Sequence, residues 1–137
     1  MDVSNSADEA GVQFIRDYNA CFYDRDIDRL KALYSTQGFT VFWDNHIGCD
    51  SDRFDDHFDK LADFFANGKG TESGTIEELL IEDAQVHASA TTLIVTAMLR
   101  YASARKPGVR STFVLTREDG TWKAVHIHHS FDPNEQN

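Results

Sequence analysis

The sequence Glu118-Asp-Gly-Thr-Trp-Lys-Ala-Val-His-Ile-His-His-Ser-Phe-Asp132 reads as a tight hairpin turn that leads into a long strand. Asp119-Gly120 supplies the turn, because glycine accepts the positive φ that two-residue hairpin turns require. The flanking segments 111–117 and 121–130 are rich in β-branched and aromatic residues, as paired strands are. We therefore predict an antiparallel hairpin in this part of the chain.

The last strand is expected to have two occupied faces, because successive side chains of a strand point to opposite sides. One face is predicted to carry Val125, Ile127 and His129, and the other to carry Trp122, His126 and His128. A sheet that covers a core on one side and presents aromatic and imidazole groups on the other has a potential binding surface on each side. We expect a small molecule on one of them and a second copy of the chain on the other.

Size, composition and charge exclude several classes of protein. A length of 137 residues with 41% hydrophobic content predicts a single domain over 1–137, ordered over about 6–132 between short polar tails. The net charge of −10 argues against nucleic acid and anionic membranes as partners. The sequence has no apolar run near the roughly 18 residues of a membrane span and no basic leader, so we expect a cytoplasmic protein. Cys21 and Cys49 fit neither a disulfide framework nor a metal motif.

Helical periodicity precedes strand periodicity along the chain. A capping box at Ser6-x-x-Glu9 predicts a first helix that ends near Tyr23. The remaining predicted elements are a helix from Asp26 to Gly38, a strand over 39–43, a helix over about 52–66, and strands over 75–87, 91–103, 109–117 and 121–130. Helices that segregate from an antiparallel sheet define the α+β class, here with three N-terminal helices packed on a strongly curved sheet that forms a cone.

Two patterns suggest a metal without completing a site. His126-x-His128 places two imidazoles on one strand face, but no Cys or Glu cluster supplies the further ligands that zinc needs. Asp24-x-Asp26-x-Asp28 is like the start of a calcium loop, but the Gly and Glu required at its sixth and twelfth positions are missing. We predict no metal and no cofactor.

The order of elements over nearly the whole chain resembles the nuclear transport factor 2-like, cystatin-like cone superfamily. Residues 119–133 are similar to the tail of the association domain of calcium/calmodulin-dependent protein kinase II and of SnoaL-like proteins. The front half resembles ketosteroid isomerase in Tyr18-Asn-Ala-Cys-Phe-Tyr-Asp-Arg-Asp-Ile-Asp-Arg-Leu30 and in Thr40-Val-Phe-Trp-Asp-Asn-His-Ile-Gly48. The same scaffold carries isomerases, cyclases, dehydratases and non-catalytic binding modules.

The resemblance to the isomerase implies candidate catalytic residues. Tyr18 falls at the position of the oxyanion-hole tyrosine, and Asp44 falls close to the general base, with His46 as a competing base. Proton abstraction next to a carbonyl needs a carboxylate at the carbon and a hydrogen-bond donor at the oxygen. The neutral acid of the isomerase is replaced here by about Ser111. Tyr18 can equally be a core tyrosine, and Asp44 can simply shape a turn.

These residues predict a hydrophobic pocket for a small apolar or aromatic ligand. Its expected lining is Phe14, Tyr18, Phe22, Trp43, Phe58, Tyr101, Ser111, Phe113 and His129. One hypothesis is a cofactor-independent isomerase, cyclase or dehydratase that acts by proton transfer. The alternative is a non-catalytic association or ligand-sensing module. Under both, we expect a homodimer through the outer sheet face, which is predicted to carry Ile94, Met98, Trp122 and His126.

Overall fold

The computed structural model describes residues 3–43, 57–62 and 79–135. Helices α1 (Val3–Asp24) and α2 (Ile27–Lys31) precede strand β1 (Thr40–Trp43), and residues 57–62 form helix α3. The strands that follow are β2 (Leu79–Ala88), β3 (Thr92–Tyr101), β4 (Ala104–Glu118) and β5 (Thr121–Phe131). The predicted α+β class is confirmed. No helix in these described ranges has the length and apolar composition needed to cross a bilayer.

Helix α1 packs along the inner face of the sheet through one apolar stripe. Phe14, Ile15, Tyr18 and Cys21 on this stripe are all buried, at the spacing of a single helix face. The helix already begins at Val3, so Ser6 lies inside it and the predicted capping box is wrong. Gly11 allows α1 to approach the sheet closely, because a Cβ there would lie only 2.7 Å from a methyl carbon of Val86.

The junction of α1 and α2 satisfies the exposed backbone groups of both helices. Arg25 adopts a left-handed conformation with φ 55°, and the Asp26 N–H donates to the Cys21 carbonyl at 2.9 Å, which is the pattern of a Schellman motif. The Asp26 carboxylate then accepts from the Arg29 N–H at 3.1 Å. Asp26 is therefore the N-cap of α2, as predicted.

Helix α2 ends at Lys31, earlier than the sequence predicts. The chain after it pairs with the sheet, because the Ser35 N–H donates to the Ala124 carbonyl at 2.9 Å and the Ala124 N–H donates to the Leu33 carbonyl at 2.8 Å. These long-range hydrogen bonds replace those that would have continued the helix.

The five strands form one curved sheet in the order β1-β5-β4-β3-β2. Strands β2 to β5 are the predicted antiparallel meander, and β1 is added at the edge, parallel to β5. In this register Trp43 lies opposite His129 on the neighbouring strand. The turn between β4 and β5 is the predicted two-residue turn, since Asp119 and Gly120 both have positive φ, at 52° and 80°.

A β-bulge in β5 changes which side chains share a face. Leu115 lies opposite Ala124, whereas the preceding residue of β4 lies opposite His126, so Val125 is an extra residue in the ladder. Trp122 therefore shares the inner face with Ala124 and packs against the core. The expectation that Trp122 shares the outer face with His126 is wrong for this reason.

Candidate functional site

The inner face of the sheet and α1 together enclose a small polar group. On the central strands, Ser111 of β4 lies directly opposite His129 of β5, and Phe113 lies opposite Ile127. All four residues are buried, and α1 places Tyr18 against them with only 7% of its surface exposed. The cross-strand register therefore assembles three polar side chains inside an apolar core.

His129 is hydrogen-bonded through both ring nitrogens. Its Nε2 lies 3.3 Å from the Tyr18 hydroxyl, and its Nδ1 lies 2.7 Å from the Ser111 hydroxyl. Burial, assisted by nearby His128, lowers the pKa of His129 to about 3, because desolvation disfavours the charged form. His129 is therefore a neutral imidazole at physiological pH.

Aromatic rings surround this polar group. Ring centroids lie 5.2 Å apart for Tyr18 and Phe113, 4.9 Å for Tyr18 and Phe22, 6.1 Å for Phe14 and Phe113, and 5.8 Å for Phe113 and His129. The structure thus brings together Tyr18 and five residues of the predicted lining: Phe14, Phe22, Ser111, Phe113 and His129. We call these six residues the inner cluster. They form a packed apolar cluster with three converging polar side chains, those of Tyr18, Ser111 and His129.

Other predicted site residues lie elsewhere or outside the described residues. Trp43 occupies the register position beside His129 on β1. Tyr101 is half-buried at the end of β3, opposite Leu79. Asp44 and His46, the two candidate bases, lie outside the described residues.

A second buried pair, Tyr34 and His57, adjoins the inner cluster and was not predicted as part of the site. The His57 Nε2 lies 3.3 Å from the Tyr34 hydroxyl, and burial, assisted by Lys60, lowers the pKa of His57 to about 4. Burial raises the pKa of Tyr34, and so does its hydrogen bond to Tyr18. The series of buried, hydrogen-bonded polar side chains therefore extends from Ser111 through Tyr18 to His57.

The second pair has its own aromatic surroundings. Tyr34, Phe39 and Phe58 pack with ring centroids 4.8 to 6.2 Å apart, and His57 lies against all three. Phe58, predicted to line the pocket, belongs to this group. His57 could have been identified by its spacing, since it lies four residues before the partly buried Leu61 on the same helix.

The outer face of the sheet carries imidazoles in a different setting. The His126 Nδ1 lies 2.6 Å from the Thr40 hydroxyl, and Phe42 packs edge-on against both His126 and His128. In the part of the chain that the structure describes, no group of three or more His, Cys, Asp or Glu side chains is placed to hold a metal.

A shallow groove also lies on this outer face. Its volume is about 430 Å³, and its lining includes Asp83, Met98, Arg110, Thr112 and His128. Ala97 and Ser111, whose neighbours along β3 and β4 face the groove, also contribute to its lining.

Comparison with known proteins identifies the family of the chain. The sequence model described as a SnoaL-like domain matches residues 12–133. A search of curated proteins finds no match.

Solved structures show the same fold at low sequence identity. A candidate dehydratase of the NTF2-like family from Streptomyces avermitilis has a TM-score of 0.74 at 15% identity, covering 96% of this chain and 99% of its own. The CaMKII hub from S. rosetta has a TM-score of 0.69 at 20% identity, with 90% and 95% covered. A candidate ketosteroid isomerase from Parabacteroides distasonis has a TM-score of 0.65 at 16% identity, with 89% and 85% covered. These likenesses establish the cone fold.

Proposed function

Since the chain belongs to the SnoaL-like domain family, we propose that it binds a small apolar or aromatic molecule between α1 and the inner face of the sheet. The observation that carries this proposal is the buried hydrogen bond between Tyr18 and His129 inside a ring of aromatic side chains. Apolar sites with a few precisely oriented polar groups are typical of small-molecule binding. Trp43, Phe58 and Tyr101 complete the proposed lining, within a single cytoplasmic domain.

The proposed chemistry is proton transfer: isomerisation, cyclisation or dehydration. Tyr18 would hydrogen-bond the ligand oxygen on which negative charge develops. Asp44, or His46 in its place, would be the base, and His129 would be a second polar contact. The candidate dehydratase and the candidate ketosteroid isomerase among the structural neighbours support this reaction class.

We expect Tyr18→Phe to weaken binding of small aromatic ketones and phenols about tenfold, because a lost hydrogen bond in a buried site costs about 1.4 kcal/mol. The measurement is a titration of each hit from a thermal-shift screen, with Tyr23→Phe as the control. Tyr23 lies on the same helix but is 56% exposed. Equal affinities of the Tyr18→Phe variant and the wild type would contradict a role of this hydroxyl in binding.

A second candidate function is assembly through the outer sheet face. Phe42 and Ile94 are 44% and 39% exposed there, beside Met98 and Val114, and exposed apolar patches on a sheet are often covered by a partner. The CaMKII hub and a candidate CaMKII association domain among the structural neighbours favour self-association. We propose a two-fold homodimer in which these faces pack together.

For this homodimer we expect Ile94→Arg to shift sedimentation at micromolar concentration from the dimer to the monomer mass. The reason is that a two-fold axis brings the new cation close to its own copy in an apolar contact. Thr91→Arg, in the exposed turn before β3, should leave the dimer intact. A monomer mass for the wild type would refute this assembly.

A further inference from the structure

Asn19 is a buried polar residue of α1 that the proposed chemistry does not use. Only 5% of its surface is exposed, although asparagine is mostly found at protein surfaces. Its Nδ2 donates to the carbonyl of Leu79, the first residue of β2, at 3.5 Å. That distance is at the long limit for a hydrogen bond, so this contact offsets little of the cost of burying the amide.

The oxygen end of this amide is buried without a hydrogen bond. Among the residues that the structure describes, none donates to the Asn19 Oδ1. Exchanging the amide oxygen and nitrogen would not satisfy the group, because two acceptors, Oδ1 and the Leu79 carbonyl, would then face each other. Buried amide oxygens of native proteins are nearly always hydrogen-bonded. Asn19 therefore carries a buried acceptor that the fold itself leaves unused.

Asn19 lies at the edge of the proposed binding site. Residues three apart are neighbours on a helix surface, which places Asn19 beside Phe22 of the inner cluster. Leu79, which Asn19 contacts, pairs with Tyr101 of the proposed lining. The amide thus lies between α1 and the end of the sheet where β2 begins and β3 ends. A ligand between α1 and the inner face of the sheet would meet it at this end.

We propose that Asn19 is a ligand-binding residue whose Oδ1 accepts a hydrogen bond from a hydroxyl or N–H group of the bound molecule. This narrows the ligand class to aromatic molecules that carry a hydrogen-bond donor, such as phenols and anilines. A site with a buried acceptor discriminates against analogues that lack the donor, because the acceptor then stays unpaired. The inference rests on the proposed function, since it requires a ligand between α1 and the sheet.

The test compares para-hydroxyacetophenone with acetophenone, which lacks the hydroxyl, by calorimetric titration of the wild type and of Asn19→Leu. We expect the hydroxyl to improve the affinity for the wild type about tenfold, the usual effect of one hydrogen bond in a buried site. In Asn19→Leu this advantage should be lost, while the affinity for acetophenone should be unchanged. Gln13→Leu, which removes an exposed amide of the same helix, should retain the tenfold advantage.

The wild-type comparison alone can overturn the proposal, whatever the folding of the variants. Equal affinities of the wild type for the two ketones, or a hydroxyl advantage that persists in Asn19→Leu, would refute the role of Asn19 and leave the proposed function intact. Failure of both ketones to bind would contradict the proposed function as well.

Urea unfolding of the ligand-free protein provides a second readout that needs no ligand. Leucine is similar in size to asparagine and removes the unpaired buried oxygen, so the urea midpoint of Asn19→Leu should equal or exceed that of the wild type. A clearly lower midpoint would mean that the fold itself uses the amide, and would refute the proposal.

Discussion

Phe113→Ala is expected to lower the free energy of unfolding by about 3–5 kcal/mol, the usual cost of removing a buried phenylalanine ring. Phe113 is fully buried at the centre of the inner cluster. The rings of Phe14, Tyr18 and His129 all pack against it. Its removal would leave a cavity between α1 and the sheet, because the backbones of both elements limit collapse.

Urea unfolding at one fixed protein concentration measures this effect, since association would otherwise change the apparent stability. The matched control is Tyr23→Ala, an aromatic truncation at an exposed position of α1, for which we expect a change within about 0.5 kcal/mol. A loss below about 1 kcal/mol for Phe113→Ala would mean that the inner cluster is not the packed centre of the fold.

Acid is expected to destabilise the protein by about 4 kcal/mol between pH 8 and pH 5, through two buried histidines. Their folded-state pKa values are lowered to about 4 for His57 and about 3 for His129, below the usual value of about 6.5 in the unfolded chain. The unfolded state therefore binds protons that the folded state does not. The contribution of these histidines to the free energy of unfolding is fully present above pH 6.5 and is lost as the pH falls. At pH 5 the loss is about 2 kcal/mol per histidine.

Urea unfolding across this pH range provides the measurement. His129→Gln should remove about half of the pH dependence, whatever its effect on stability at pH 8. His87→Gln, at an exposed position of β2, should leave the pH dependence unchanged. Burial also lowers the pKa of His126, which adds a smaller change of the same sign. A free energy of unfolding that stays constant between pH 8 and pH 5 would show that both imidazoles reach solvent when they are protonated.

Features that depend on local chemistry were predictable from the sequence. The turn at Asp119-Gly120 depends only on the ability of these two residues to adopt positive φ. The N-cap of α2 depends only on the side-chain carboxylate of Asp26. The end of α2 was not predictable, because it depends on hydrogen bonds to Ala124, some 90 residues away along the chain. The side of the sheet on which Trp122 lies depends on a bulge at Val125 for which the sequence gives no signal.

In the candidate site, too, features that depend on local patterns were predictable, whereas features that depend on long-range contacts were not. Tyr18 was found from helical spacing and from the resemblance to the isomerase, and His129 from strand alternation. The hydrogen bond between His129 and Ser111 required the exact register of β4 and β5. The contact of His57 with Tyr34 joins α3 to the segment after α2, and no sequence pattern specifies that packing.

The most direct test of the proposed binding site is a crystal structure of the protein with the tightest ligand from the screen of aromatic ketones and phenols. We expect the ligand oxygen within hydrogen-bonding distance of the Tyr18 hydroxyl, with the ligand ring against Phe113. A ligand bound instead in the outer groove, between Met98 and His128, with the inner cluster unchanged, would contradict this account.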